Sequence, residues 1–211
     1  MRKKHSGLRT IATLGSVLMR VSALPGRFGA WSIFVLVLVV LFSVVAAQLS
    51  WSELLTWSTS VPLLGTRLNT TGVGELQWHL FALLVMLAGA YAMQQDQHIR
   101  VDVLSSRFSP RMRTTMDLCG DLFLLLPFFG CLFWFSLDFV ARAYNFGEQS
   151  NNGGLIDRYL VKSMLTVGCA LMLLCAIGRI LRNVAFLIAP SLELELQNQA
   201  TTTADGTEER A

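Results

Sequence analysis

The sequence predicts an all-α membrane protein of four transmembrane helices, N-in and C-in, with an amphipathic interfacial helix ahead of the first span. Three observations predict it. Of 211 residues, 53% are hydrophobic and only 15% are charged, against about a quarter charged in an ordinary soluble domain. The charges leave four apolar stretches, each near the ~20 residues that a helix needs to cross a bilayer. Lys and Arg also cluster on alternate loops, which gives the stretches a direction. The net charge of +3 is too small for a nucleic-acid partner.

In chain order, residues 1–27 form a basic amphipathic segment. Leu8, Ile11, Leu14, Leu18 and Val21 share one helical stripe, with Arg9, Thr13, Ser16 and Arg20 opposite. Such a helix suits the inner leaflet, its basic face toward anionic headgroups. Pro25 and Gly26 are expected to break it. Its length is unlike the basic region of a cleaved signal peptide.

A transmembrane domain over 28–189 follows, with spans near 30–50, 75–95, 117–141 and 160–181. Charge-free runs from Phe28 to Ser52, Leu76 to Gln95, Leu122 to Leu137 and Ser163 to Gly178 mark them. The last two are short, so flanking charges must sit at the interfaces or snorkel. A lone apolar segment in lipid satisfies its backbone only as a helix. Pro127 should kink the third span. The loop from Ser50 to Gly74 is longer than a tight connection needs, and Trp51 and Trp57 suit the outer interface. A polar cytoplasmic tail, 190–211, is expected to be disordered.

Only Arg67, Arg142, Arg158 and Lys162 lie in the first and third loops; all other Lys and Arg lie before span one, between spans two and three, or after span four. The positive-inside rule puts those three regions in the cytoplasm. The Cys residues at 119, 131, 169 and 175 sit in or beside apolar segments and read as packing residues, not disulfides or zinc ligands.

The residues that could carry chemistry read as structural or interface groups. Asp96 and Arg100, and His98 and Asp102, stand at i, i+4 beyond span two, as two interlocked pairs. Asp96, His98 and Asp102 do not converge on one helical face, so no metal site is expected. Glu75 and His79 share a face at the outer start of span two, Glu75 favoured by the helix N-terminus and His79 as an interfacial polar group. One such His does not supply paired haem ligands, and no cofactor is expected. Asp121 on span three falls at the depth of Arg179 on span four, which predicts a contact in the inner leaflet. Asp138 and Lys162 are expected to pair similarly at the outer ends. Ala88–Ala92, Gly120, Gly130 and Gly168 are small-residue openings for helix contact. No catalytic or substrate-binding residue emerges, and no enzyme activity is expected.

Taken together, the run from Glu75 through Trp78 and His79 to Ala82, then Gly89-Ala-Tyr91, Asp96-x-His98-x-Arg100-Val-Asp102, Leu126-Pro127-Phe128, Gly147-Glu148, Gly153-Gly154-Leu155 and Lys162 form a set. In order and spacing this set closely resembles the small membrane (DctQ-type) subunit of tripartite ATP-independent periplasmic, or TRAP, transporters, over roughly residues 30–185. Tyr159 and Leu165–Val167 depart from the pattern near the start of span four. The resemblance implies a bacterial inner-membrane protein serving sodium-driven symport of small organic acids. It implies as partners a large membrane subunit, which carries the substrate and sodium sites, membrane lipid, and a periplasmic substrate-binding protein that meets the outer loops transiently. This chain would be the scaffold. The rival readings are an autonomous small four-helix transporter, which lacks a mid-membrane carboxylate on span one, and the membrane anchor of a respiratory enzyme.

Overall fold

The computed structural model describes residues 2–95 and 108–190, with side chains from Gly7 onward. Helices α1 (Arg2–Gly29) and α2 (Trp31–Gln48) lead into strands β1 (Glu53–Val61) and β2 (Gly65–Asn69), then α3 (Thr70–Gln94). After the undescribed segment come α4 (Pro110–Gly120), a π-helical turn (Asp121–Leu125), α5 (Leu126–Asn145) and α6 (Tyr159–Ile188). Among the described residues, four helical stretches are long and apolar enough to cross a membrane: Gly7–Gln48, Thr70–Gln94, Pro110–Asn145 and Tyr159–Ile188. The chain is a mostly helical, multi-pass membrane protein.

Two compact units divide it. One comprises Met1–Val21, His98–Pro127 and Leu174–Ala211, the other Ser22–Gln97 and Phe128–Leu173. In the first unit α1 crosses α6 with the two backbones nearly touching. A Cβ on Gly15 would lie 2.5 Å from the Gly178 carbonyl oxygen, and one on Gly178 2.7 Å from that of Gly15. In the second unit α1 meets α3 the same way, since a Cβ on Gly26 would lie 2.6 Å from the Leu87 carbonyl oxygen. There α3 also crosses α6, where a Cβ on Gly168 would fall 2.9 Å from Met86 Cβ. Lipid drives no hydrophobic association between helices, so close backbone approach supplies the packing.

Pro25 and Gly26 do not end α1. The helix runs through both to Gly29, and the chain is interrupted at Ala30. A mid-helix proline forfeits one hydrogen bond and bends the helix, while Gly26 serves as the point of contact with α3. The stripe of α1 buried within the protein is Ala12, Gly15, Met19, Ser22, Ala23 and Gly26. Ile11, Leu14 and Val21 stay exposed on one flank of it, and Arg9 and Arg20 on the other.

The all-α expectation needs correcting at the loop between α2 and α3, which is an antiparallel β-hairpin. Glu53 pairs with Asn69, Leu55 with Leu68, Thr56 with Arg67 and Val61 with Gly65. Register shifts interrupt the ladder on both sides of the Leu55–Thr56 stretch. Bulges of this kind break the period-2 alternation by which a strand is recognised in sequence. The turn holds Leu63 at φ +71° and Gly65 at φ +69°, and the Trp57 indole N–H donates to the Gly65 carbonyl at 2.7 Å. Asn69 then caps α3, its side chain accepting from the Gly72 N–H at 2.7 Å.

Helices α4 and α5 run on through their flanking charges. Ser109 caps α4 with Pro110 in the first turn. In the π-helical turn, the Leu126 N–H reaches back to the Asp121 carbonyl. This wide turn directly precedes Pro127, which has no N–H to give to the helix.

Candidate functional site

Two constellations of buried polar groups lie in the fold, one in each unit. The first is built on Glu75, only 7% exposed in the first turns of α3. Its carboxylate accepts hydrogen bonds from the Ser150 hydroxyl and, at 2.9 Å, from the Leu155 backbone N–H. It therefore grips the loop between α5 and α6 from within. A carboxylate taken out of water needs such donors on its oxygens.

The loop is shaped to present them. Gly153 has φ +69°, a conformation that costs a side-chain-bearing residue about 1 kcal/mol or more. A Cβ on Gly154 would sit 2.5 Å from Glu75 Oε2, so the carboxylate occupies the space a side chain would fill. The Gly153 carbonyl accepts from the Asn69 side-chain amide at 2.9 Å, and the Leu63 carbonyl accepts from the Ile156 N–H at 2.9 Å. Hairpin, helix start and loop are thus fastened together around one carboxylate.

His79 is buried within the protein at 4% exposure. Its Nδ1–H donates to the Glu75 backbone carbonyl at 2.6 Å, rather than meeting the Glu75 carboxylate. Trp78 stacks on the His79 ring with centroids 3.9 Å apart, and the Arg158 guanidinium lies 5.5 Å from the Trp78 ring centroid. Lys162 does not pair with Asp138. It bonds to Glu148 and lies 4.1 Å from the Phe139 ring centroid. The loop brings Glu148 back over the first turn of α6, a closer approach than the neighbouring helix side chain makes.

In the other unit Asp121, 1% exposed, faces Arg179 of α6. The Arg179 Nε–H donates to Asp121 Oδ2 at 2.6 Å, and Nη2 donates to Oδ1. The pair is bidentate, the geometry in which a guanidinium serves a carboxylate best. Asp121 opens the π-helical turn, and Pro127 lies two residues beyond its end. Asp96, His98, Arg100 and Asp102 lie outside the described residues.

Among the described residues, no group of three or more His, Cys, Asp or Glu could hold a metal ion. Cys169 and Cys175 are buried, whereas Cys119 and Cys131 are exposed. The sequence reading missed Asn69, Ser150 and Arg158. Asn69-Thr-Thr-Gly72 does carry a helix-cap signature, but the distance in sequence from Ser150 to Glu75 hides their bond.

By fold and site this is a small multi-pass membrane protein in which the two buried carboxylates among the described residues, Glu75 and Asp121, are each bonded to groups of the same chain. Residues 66–186 match the family described as "Tripartite ATP-independent periplasmic transporters, DctQ component". This match spans more than half of the chain, and the protein belongs to that family of transporter components. The matched stretch runs from β2 into α6 and contains both constellations. No curated protein and no solved structure matches the chain.

Proposed function

We propose that this protein is the small permease subunit of a TRAP-type secondary transporter, a fixed scaffold for the large subunit that moves small organic acids with sodium. The observation that carries the reading is how the buried carboxylates are used. Asp121 is held on both oxygens by Arg179, and Glu75 on both oxygens by Ser150 and Leu155. A carboxylate that couples ion movement must exchange partners, whereas one already ligated by its own chain braces the structure.

Topology and placement follow from the same reading. Both termini face the cytoplasm of a bacterial inner membrane, as the basic loops direct. The three faces of α1 suit a helix lying in the interface: small residues against the protein, Leu14 and Val21 toward acyl chains, Arg9 and Arg20 toward headgroups. On the outer side an open polar depression lined by Glu53, Arg67, Asn69 and Asn152 offers the periplasmic substrate-binding protein a hydrated contact.

The test is reconstitution. Purified with the large subunit and supplied with the binding protein, the complex takes up solute under a sodium gradient, and the small subunit alone in proteoliposomes takes up none. Solute uptake by the isolated chain would overturn the proposal.

A further inference from the structure

In the unit made of Ser22–Gln97 and Phe128–Leu173, α2 and α5 both turn large surfaces outward, but with different chemistry. From Ile33 to Val45, α2 is apolar except at Ser43. It exposes Phe34, Leu38, Leu41 and Val45, a surface that acyl chains satisfy without further help. The outward stripe of α5 is mixed. Cys131, Trp134, Asp138 and Arg142 recur at helical spacing, all exposed, opposite buried Ser136 and Ala143.

Three features set this stripe apart from a lipid-facing one. Asp138 and Arg142 form no ion pair among the described residues, and Lys162, the cation stacked on neighbouring Phe139, is committed to Glu148. An acid on the outer face of a membrane helix is unfavourable without a counter-charge. Gly130, one turn before Trp134, has nothing within 4 Å of where its Cβ would stand. It weakens the helix, and among the described residues no other element packs against it at that distance. Trp134, 69% exposed, is the residue type that anchors protein interfaces.

We propose that this stripe of α5 is the face on which the large membrane subunit seats. A basic side chain of that subunit opposes Asp138, an acidic one opposes Arg142, a helix backbone approaches at Gly130, and Trp134 fills a pocket between them. The inference rests on the scaffold reading above and adds to it which surface is covered and what charge pattern covers it.

Photo-crosslinking in membranes tests it. The chain is expressed with the large subunit, with Trp134 or Leu38 replaced by p-benzoylphenylalanine, and adducts are resolved after irradiation. Position 134 should yield an adduct with the large subunit, and position 38 should not. Gly130→Leu and Asp138→Lys should each lower recovery of the large subunit on the tagged chain by roughly tenfold or more. Gly130→Leu should not lower the thermal stability of the isolated chain, since a Cβ there meets nothing within 4 Å and the substitution removes a helix-weakening glycine. Equal or reversed adduct yields at the two positions, or full recovery with both substitutions, would overturn the assignment of the face. Failure of the unsubstituted chain to retain the large subunit would instead overturn the scaffold reading.

Discussion

Replacing Arg179 with Met removes both donors from a carboxylate that is 1% exposed, while the flexible thioether keeps most of the side chain's volume. Arg179 itself is buried to 12% side-chain exposure, so neither partner has water to fall back on. Breaking a buried pair from one side costs about 3–5 kcal/mol, because the remaining charge is left uncompensated. At ~3 kcal/mol the folded-to-unfolded ratio falls by roughly 150-fold. Arg179→Lys keeps the charge but loses the fork, and should cost about 1.5–3 kcal/mol, the worth of one charge-assisted hydrogen bond. The double substitution Asp121→Leu with Arg179→Met removes both charges together and should lie within about 1–2 kcal/mol of the parent. The assay is reversible unfolding of the purified chain in detergent, run as a double-mutant cycle. If Arg179→Met proved as stable as the parent, or the double variant as unstable as Arg179→Met, the fastener role of the pair would be refuted.

Gly154→Ala should expel the Glu75 carboxylate, since the new methyl would stand 2.5 Å from Oε2. It should destabilise by about 2–3 kcal/mol and add little to Glu75→Ala, read from the rate of proteolytic cleavage in the 147–158 loop. Gly178→Leu should part α1 from α6, where the Gly15 carbonyl lies 2.7 Å from the new Cβ. Hydrogen exchange should then quicken in α1 around Gly15 while the Glu75-bound loop keeps its protection. Lys162→Met is the contrasting case. With side-chain exposures of 22% and 41% for Lys162 and Glu148, the pair is screened by solvent, and the loss should stay below about 1 kcal/mol in the same unfolding assay.

Some of this architecture is legible one residue at a time. Charge-free runs mark the four membrane-length helices because the cost of a charge in hydrocarbon is paid locally, whatever the rest of the chain does. The motif set around Glu75, Gly153 and Gly154 is likewise visible as residue types at fixed spacing, and points to the family before any coordinate is known. The hairpin at Glu53–Asn69 is far less visible, because its register shifts scramble the alternation that marks a strand.

Other features have no local signature at all. Nothing in the spacing of Glu148, Asp138 and Lys162 tells which acid the lysine takes; the path of the loop selects Glu148. Nor does the amphipathic pattern of α1 show that Gly15 and Gly26, rather than its leucines, would be the contact points, or that the helix would run through Pro25. Composition and periodicity therefore determined that the chain spans a membrane as helices and where they lie, since burial in lipid is decided by each segment's own side chains. Tertiary structure alone decided which carboxylate grips which loop, which glycines meet and which face of α5 is left open, since these depend on atoms far apart in sequence coming within a few ångströms.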